Sequence, residues 1–262
     1  MKSVDLNCDL GESFGAWHIG ADTEVMPHIT SANIACGFHA GDPAVMRRTV
    51  AACLEHGVAI GAHPGFPDLV GFGRREMDVS PDDVHDLVVY QVGALHAFAR
   101  SAGGRVQHVK PHGALYNMAA RRIDLANAIV RAVRGLDESI SLFGLAGSTL
   151  IAAAESVGLR AVHEVFADRA YLADGTLVPR SRSDATVHDV ALAARRAVRM
   201  VQEGRVTSVD GPDLSVRADT ICIHGDRPDA GTMVAAVRGA LHAAGIDVRA
   251  PFVAARPDRT RS

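Results

Sequence analysis

The amino-acid sequence predicts an α/β fold in the form of a parallel β/α barrel with seven strands. Three observations predict it. Seven short apolar runs alternate with amphipathic stretches of helical period. No linker interrupts this alternation, and a length of 262 residues suits one barrel. Strands that alternate with helices form parallel sheets, and seven such strands fit a closed or nearly closed barrel better than a sheet with two open edges.

The elements can be assigned in order along the chain. Asp42 followed by Pro43 is typical of a helix N-cap and first helical position, and predicts a helix over residues 43–55. Ser80 introduces a second helix that continues over residues 84–102 and ends at Gly103. The predicted strands are residues 4–8, 31–36, 58–62, 106–109, 140–145, 161–165 and 220–223.

Two segments depart from the simple alternation. Residues 164–186 are too long and too polar for a turn, and loops beyond about 12–15 residues are usually lids, binding loops or disordered. Residues 206–219 predict a small hairpin around Gly211 and Pro212. We therefore expect one domain over residues 1–253, followed by a disordered polar tail at 254–262.

Composition excludes several classes of protein. Hydrophobic residues make up 48% and charged residues 22%, a globular balance, and the net charge of −3 lacks the basic footprint of a nucleic-acid binder. No apolar run approaches the roughly 20 residues of a membrane span, and the N-terminus lacks the apolar centre of a signal peptide, so we expect a cytoplasmic protein. The four cysteines have no CxxC spacing, which favours free buried thiols.

Polar side chains with catalytic capability follow six of the seven predicted strands. In a parallel barrel these strand ends point to one mouth, where catalytic groups collect. The fifth strand instead ends in residues 144–149, which lack the Gly-Lys-Ser/Thr end of a phosphate-binding loop. The strand-end residues are, in order, Asp9 and Glu12; His39 and Asp42; His63 and Asp68; Lys110 and His112; Glu164, Asp168 and Arg169; His224 and Asp226.

This set of residues suits the activation of water. Histidines with a carboxylate act as general bases or hold a divalent metal that lowers the pKa of water, and a lysine beside them stabilises charge on a carbonyl oxygen. No Gly-x-Ser-x-Gly elbow or dinucleotide-binding motif is present. The residues therefore predict a hydrolase of a polar carbonyl substrate, with or without metal. Asp42 fits a helix cap as well as a site role, and Arg74 fits a solvated loop as well as a substrate carboxylate.

Blocks of sequence along nearly the whole chain resemble the LamB/YcsF family. These blocks are DLNCDLGESFG, SANIACGFHAGDP, GAHPGFPD, GFGRR, VKPHGALYN, EVFADRAYLADGTLVPR and ICIHGD. The resemblance implies a seven-stranded barrel related to deacetylases and other glycoside-processing enzymes. It also implies cleavage of the lactam 5-oxo-L-proline to L-glutamate, coupled to hydrolysis of ATP as co-substrate, in a complex with subunits B and C.

Strand-end clustering and this resemblance together give each residue an expected role. By analogy with deacetylase barrels, a divalent metal would be held by Asp9, His63 and His112. The expected catalytic residues are His39, Lys110, Asp168 and His224. The expected substrate-binding residues are Asn33, Arg74, Glu164, Arg169 and Asp226.

Two other functions remain open from the sequence. One is a metal-dependent deacetylase or amidohydrolase that acts alone, which the Asp and His set motivates. The other is a non-catalytic subunit that binds a lactam and delivers it to partners. Dependence on ATP distinguishes the first from the expected function, and histidine substitutions that leave activity intact would identify the second.

Overall fold

The computed structural model describes residues 1–226 and 229–251, and within them seven parallel strands close into a barrel. The strands are, in chain order, β1 (Ser3–Leu10), β2 (Ser31–Ala35), β3 (Ala59–His63), β4 (Val106–Val109), β5 (Ser141–Leu145), β6 (Ala161–Phe166), β7 (Arg205–Thr207), β8 (Asp213–Ser215), β9 (Thr220–Ile223) and β10 (Asp247–Val248). Strands β1 to β6 pair successively, and β9 closes the barrel by pairing with both β6 and β1. The predicted seven-stranded barrel is confirmed.

Helices connect and cover the strands. They are α1 (Asp22–Val25), α2 (Pro43–His56), α3 (Pro81–Ser101), α4 (Gly113–Ala119), α5 (Ile123–Leu136), α6 (Thr149–Ser156), α7 (Val190–Glu203) and α8 (Ala230–Ala243), with a 3₁₀ turn at Met26–His28. The short strands β7 and β8 form the predicted antiparallel hairpin outside the barrel, and β10 pairs in parallel with the start of β1. Among the described residues, none of the helices combines the length and apolar composition that a bilayer crossing requires.

The interior of the barrel is polar, and its outer face is apolar. Along β1, Leu6 belongs to the hydrophobic core, whereas the alternate residues Asp5, Asn7 and Asp9 hydrogen-bond to other strands. Side chains alternate between the two faces of a strand, so one face of β1 packs on the helices while the other fills the barrel with hydrogen-bonding groups. This interior supports the site at the mouth of the barrel.

Several strands extend further than the sequence predicts. Strand β1 continues to Leu10 and β3 to His63, which places Asp9 and His63 inside strands. Strand β6 continues to Phe166, one residue beyond the predicted strand 161–165, so the long segment predicted from residue 164 leaves the barrel only after Phe166. Polar residues usually indicate loops, but this barrel accepts them in its interior because partners on other strands satisfy them.

The predicted helix starts are confirmed. The Asp42 carboxylate accepts hydrogen bonds from the backbone N–H groups of Ala44 and Val45 at 2.8 and 3.0 Å, which caps α2. Ser80 forms a reciprocal capping box with Asp83 at the start of α3. The four cysteines are free and buried, as predicted. The predicted tail at 254–262 lies outside the described residues.

Candidate active site at the barrel mouth

The carboxyl ends of the strands surround a small cavity. Six of the residues that line it come from the barrel strands or from the segments that directly follow them. These are Asp9, His63, Lys110, His112, Phe166 and His224. The structure therefore brings six of the strand-end residues named from the sequence to one mouth, the five polar residues of this set and Arg169, together with an aromatic ring.

Lys110 lines this cavity and is almost completely buried. Its ammonium donates to Asp9 Oδ1 at 2.8 Å and lies 3.2 Å from Glu164 Oε1 and 3.1 Å from Cys222 Sγ. Burial alone would lower the pKa of Lys110, but the negative charge of Asp9 above all raises it well above its ordinary value. Lys110 is thus a fixed buried cation with carboxylates on two sides.

The Asp9 carboxylate lies between Lys110 and His63. One oxygen takes the Lys110 hydrogen bond, and the other lies 3.3 Å from His63 Nε2. Burial would raise the pKa of Asp9, but His63 and Lys110 hold it well below its usual range. Asp9 is therefore ionised at neutral pH and offers an acceptor oxygen to the cavity.

A layer of side chains beneath the cavity fixes these groups from below. Asn33 donates to Asp9 Oδ1 at 2.8 Å and to Asn7 Oδ1 at 2.7 Å. Asn7 in turn donates to Glu164 Oε1 at 2.9 Å, and Glu164 Oε2 accepts from the Tyr116 hydroxyl at 2.7 Å. Each amide has its donors and its acceptor engaged, so the orientation of both amides is determined by the network.

His108 completes this layer through an unusual packing relation with Gly61. Its Nε2 lies 2.8 Å from Asn33 Oδ1, and because the Asn33 amide already donates on its other side, His108 Nε2 is the donor. Burial lowers the pKa of His108 to about 3, so the ring is neutral. A Cβ atom at residue 61 would clash directly with His108 Nε2, so the ring occupies space that only glycine leaves open.

His63 and His112 turn unprotonated nitrogens toward each other. His63 Nδ1 lies 2.7 Å from the carbonyl oxygen of Lys110, and His112 Nε2 lies 2.8 Å from that of Phe72, so these nitrogens carry the hydrogens. The remaining nitrogens, His63 Nε2 and His112 Nδ1, are 3.0 Å apart. Together with the nearby Asp9 oxygen they are three acceptors, an arrangement that a proton or a metal ion between them satisfies.

Glu12 and His39 extend this group away from the cavity. His39 stacks on His112 with ring centroids 3.7 Å apart, and Glu12 Oε1 lies 3.5 Å from His39 Nε2 and 3.6 Å from His112 Nδ1. Among the described residues, Glu12 Oε1 and both His39 ring nitrogens have no hydrogen-bond partner although they are buried. Burial raises the pKa of Glu12 well above its usual range, and burial lowers the pKa of His39 and of His112.

This group of four residues could hold a metal ion. One ligand atom from each of Glu12, His39, His63 and His112 lies within 4.8 Å of all the others. Imidazole and carboxylate are common ligands of zinc and other divalent ions, and backbone carbonyls fix the outer nitrogens of two of these rings, as supporting groups do in metal sites. We call these four residues the Glu/His3 cluster. It shares His63 and His112 with the predicted metal set but contains Glu12 and His39 where Asp9 was expected.

Asp168 and His224 form a second pair across the cavity. Asp168 Oδ2 lies 3.0 Å from His224 Nδ1 and accepts the His224 backbone N–H at 3.1 Å. Although burial opposes it, His224 holds the pKa of Asp168 at about 2. The carboxylate keeps the hydrogen of the imidazole on Nδ1, which leaves Nε2 as the exchangeable nitrogen, the same relation that orients the histidine of a catalytic triad.

Arginines surround the outer part of the cavity. Arg74 donates to Asp226 at 2.6 Å, and Arg169 donates to the carbonyl oxygens of Val178 and Ala185 at 2.6 and 3.1 Å. Arg74, Arg169 and Arg180 also line a larger groove that adjoins the cavity. The entrance to the cavity is therefore positively charged.

Some residues expected in direct contact with substrate lie one layer deeper. Asn33 and Glu164 are completely buried in the network beneath the cavity, and His39 is completely buried behind His112. Their direct roles in binding and catalysis stay predictions. Asp42 is held by its cap hydrogen bonds and by the Gly15 N–H. Residues 144–149 form the strand-to-helix turn in which Ser148 caps α6.

Sequence reasoning gives no site role to several residues that the structure places here. His108 is one histidine among many in the sequence, and Asn7 stands inside a strand. Glu12 follows a strand end without a specified role, and Arg180 belongs to a long loop. The signal that was available is the alternation in Asp5-Leu6-Asn7-Cys8-Asp9, because a period of two with polar residues on one face indicates a hydrogen-bonded barrel interior.

Comparison with known families decides the relationship of this chain. The profile of the LamB/YcsF family matches residues 4–256. The chain belongs to the LamB/YcsF family. The motifs that carried the resemblance all lie within this match, and most of them surround the cavity.

Curated relatives in the LamB/YcsF family are very similar over almost their whole length. The chain is 57% identical to the A subunit of 5-oxoprolinase from Brevibacillus brevis, over 96% of this chain and 99% of the relative. It is also 57% identical to the corresponding subunit of Bordetella pertussis and 56% identical to that of Bacillus subtilis, in each case over 95% of this chain. These two matches cover 98% and 97% of the relatives' own lengths.

Solved structures agree on the fold of this LamB/YcsF protein. The lactam utilization protein of Thermus thermophilus superposes with a TM-score of 0.90 at 52% identity, over 95% of this chain and all of that one. The catalytic domain of a peptidoglycan N-acetylglucosamine deacetylase from Eubacterium rectale has a TM-score of 0.51 at 10% identity, over 98% of this chain and 90% of that one. At that identity the likeness concerns the fold alone.

Proposed function

We propose that this chain is the A subunit of an ATP-dependent 5-oxoprolinase, which hydrolyses the lactam of 5-oxo-L-proline to L-glutamate. The observation that carries the proposal is a buried Lys110–Asp9 pair beside His63 and His224, in a chain 57% identical to the A subunit of a known 5-oxoprolinase. The chemistry needed is attack of water on an amide carbonyl, stabilisation of the resulting oxyanion and protonation of the leaving nitrogen.

Asp9 and His63 are the groups that hold the attacking water. Asp9 Oδ2 lies 3.3 Å from His63 Nε2 and accepts a hydrogen bond from a water molecule at the cavity wall. His63 Nε2 is the second acceptor for this water when the Glu/His3 cluster holds no ion. As attack proceeds, one hydrogen of this water passes to the acceptor. General-base assistance of this kind contributes roughly 10²–10⁴-fold to a rate.

Lys110 stabilises the oxyanion. Its ammonium is held in place by Asp9 and Glu164, and it needs no movement to meet charge that develops on the lactam oxygen. A fixed donor in a water-poor site stabilises the transition state more than the ground state, and removal of one such donor typically costs about 10²–10³-fold in rate.

His224 supplies the proton for the leaving nitrogen. Asp168 binds its Nδ1–H, and its ring lines the cavity, so Nε2 is available to the substrate. Breaking the lactam C–N bond places an electron pair on nitrogen, and protonated His224 transfers its Nε2 proton there. The product is then the open-chain amine and carboxylate of glutamate.

The Glu/His3 cluster would hold a divalent metal ion beside the attacking water. The unpartnered Glu12 and His39 atoms and the facing lone pairs of His63 and His112 fit such an ion. When bound, a divalent ion lowers the pKa of coordinated water and makes it a better nucleophile.

ATP and partner subunits complete the proposal. A five-membered lactam is a stable amide. Transfer of the γ-phosphoryl group of ATP to its oxygen, with release of ADP, would make the carbonyl carbon more electrophilic, and after water has added, phosphate would leave before free glutamate is released. Residues 144–149 lack the end of a phosphate-binding loop and form a strand-to-helix turn with a helix cap, so we assign ATP handling to the complex with subunits B and C. We place this complex in the cytoplasm.

Release of glutamate from 5-oxo-L-proline, with ATP and with or without subunits B and C, tests the proposal. Activity that requires ATP and partners is expected. Asp9→Asn and His224→Gln should each lower kcat by at least about a hundredfold. His56→Gln, at the exposed end of α2, is the matched control and should keep full activity. Unchanged turnover in Asp9→Asn would contradict the proposed mechanism.

A second candidate is a metal-dependent deacetylase or amidohydrolase that needs neither ATP nor partners. The Glu/His3 cluster is the observation that favours it, because such a cluster suits direct metal-assisted hydrolysis. Release of acetate from N-acetyl sugars without ATP would support this candidate. A strict requirement for ATP would exclude it.

A further inference from the structure

Arg180 is an arginine at the entrance of the site with no partner among the described residues. It is exposed, and it lines both the cavity and the adjoining groove. Within residues 1–226 and 229–251 its guanidinium makes no hydrogen bond or ion pair, whereas Arg74 pairs with Asp226 and Arg121 with Glu76. Two of the arginines that line the groove are therefore neutralised, and Arg180 is not.

The loop that carries Arg180 is held in place by Arg169. The Arg169 guanidinium donates to the carbonyl oxygens of Val178 and Ala185, which lie on either side of Arg180 in the sequence. Between them, the Arg182 N–H donates to the Pro179 carbonyl oxygen at 3.0 Å and closes a turn. Arg169 is thus occupied as a clamp, and the clamped turn presents Arg180 at the cavity.

The positive charges of Arg169 and Arg180 lie close enough to repel each other. Burial, followed by the nearby charge of Arg180, lowers the pKa of Arg169 to about 10. A buried guanidinium that bonds only to carbonyl oxygens, beside an unpaired one, leaves excess positive charge at the entrance. An anionic ligand would relieve this excess, and a planar guanidinium binds a carboxylate through two parallel hydrogen bonds.

We propose that Arg180 binds the carboxylate of the substrate and that Arg169 is the residue that positions it. The assignment rests on the proposed function, in which the substrate is a lactam that carries one carboxylate. It orients the lactam with its charged end toward the groove and its carbonyl toward Lys110. Arg180 then distinguishes carboxylated lactams from neutral ones.

The assignment is tested by comparing the binding of two ligands to the wild-type protein and to Arg180 variants. The ligands are 5-oxo-L-proline and 5-oxo-L-prolinamide, which differ in one carboxylate replaced by a neutral amide of nearly the same shape. The affinity of each is measured by calorimetry on the full chain and by kcat/KM in the complete complex. The wild type should prefer the acid by roughly tenfold to a hundredfold, as expected for a charge-assisted hydrogen bond.

Arg180→Gln should lose most of this preference by weakening the acid and leaving the amide unchanged. Arg180→Lys keeps the charge without the two-point geometry and should restore part of it. Arg121→Gln, whose arginine lines the same groove but is paired with Glu76, is the control and should keep the full preference.

The outcomes distinguish an error in the role of Arg180 from an error in the proposed lactam-hydrolysing function. If Arg180→Gln keeps the wild-type preference, the assignment of Arg180 is wrong and the lactam-hydrolysing function stands. If the wild type shows no preference for the acid and no turnover of it in the complete complex, the proposed function falls and the assignment falls with it.

Discussion

The layer beneath the cavity and the Glu/His3 cluster are both polar, both buried and close together, yet they differ in how their atoms are paired. In the layer, Asn33, Asn7 and His108 have donors matched to acceptors. In the cluster, Glu12 Oε1 and both nitrogens of His39 have no partner among the described residues. Burial of an unpaired polar atom costs about 1–3 kcal/mol, whereas a paired network is roughly neutral or stabilising.

The difference separates two kinds of polar residue in one barrel. The paired layer determines where Asp9 and Glu164 lie, and thereby where Lys110 lies. In the Glu/His3 cluster, buried atoms that could bind a ligand have no hydrogen-bond partner among the described residues. Buried atoms of the second kind point to a ligand, and those of the first kind point to positioning.

Removal of Lys110 should give the largest effect on the paired layer. Lys110→Met leaves the Asp9 and Glu164 carboxylates buried without their cation, and breaking a buried pair in this way costs about 3–5 kcal/mol. Urea denaturation at pH 7 measures it. The double variant Lys110→Met/Asp9→Asn should recover part of the loss. Equal stability of Lys110→Met and wild type would mean that the layer does not depend on this charge.

A divalent metal ion should stabilise the folded protein by binding to the Glu/His3 cluster, and this effect should not depend on the residues of the paired layer. At a concentration 100 times its Kd, an ion that binds the folded state adds about 2.7 kcal/mol, or roughly 5–10 °C in Tm for a chain of this size. Thermal unfolding with and without Zn²⁺ or Mn²⁺ measures the shift. His112→Gln should abolish it, and His108→Gln, a buried histidine of the paired layer, should keep it. A shift of the same size in both variants would remove the distinction.

The pH dependence of stability should reveal His108 as a neutral paired residue. Its folded pKa of about 3 lies below the unfolded value of 6.5, so the unfolded chain binds a proton that the folded chain excludes. Stability is therefore complete above pH 6.5 and is lost as pH falls toward 3. Between pH 7 and pH 5 the wild type should lose about 2 kcal/mol more than His108→Gln, measured by urea denaturation at both pH values. Parallel losses would show that His108 is not buried as a neutral ring.

The smallest effect is expected at Asp42, outside both regions. Asp42→Ala removes the cap of α2 and should cost about 1 kcal/mol of folding stability. Glutamate release should stay at the wild-type level, because the Asp42 carboxylate bonds to backbone groups of Gly15, Ala44 and Val45. A fall in kcat greater than the loss of folded protein would assign Asp42 to the site after all.

The barrel could be predicted well from the sequence because its evidence is local. Alternating apolar runs, Asp42-Pro43 and Ser80-Pro81 each depend on a few neighbouring residues, and all three patterns appear in the structure as predicted. The gathering of Asp9, Lys110 and His224 was also predictable, because parallel strands bring their carboxyl ends together.

The pairing within the site was not predictable in the same way. Whether His39 faces the cavity or stacks on His112 depends on the loop after β2, and the Asn33–His108 contact depends on the absence of a side chain at Gly61. Such contacts join residues from separate strands, and no local period encodes them. The role of Arg180 follows only from the structure, in which the Arg169 guanidinium is already hydrogen-bonded to the carbonyl oxygens of Val178 and Ala185.

Closure of the barrel by β9 sets the order in which the site can be completed during synthesis. Thr220 accepts a hydrogen bond from Asn7, and Cys222 lies against the Lys110 ammonium, so the last barrel strand contributes to the layer that holds the first. A nascent chain that ends before Thr220 has six parallel strands with open edges at β1 and β6. Asn7 and Lys110 therefore gain their contacts with Thr220 and Cys222 only when more than four-fifths of the chain has been synthesised.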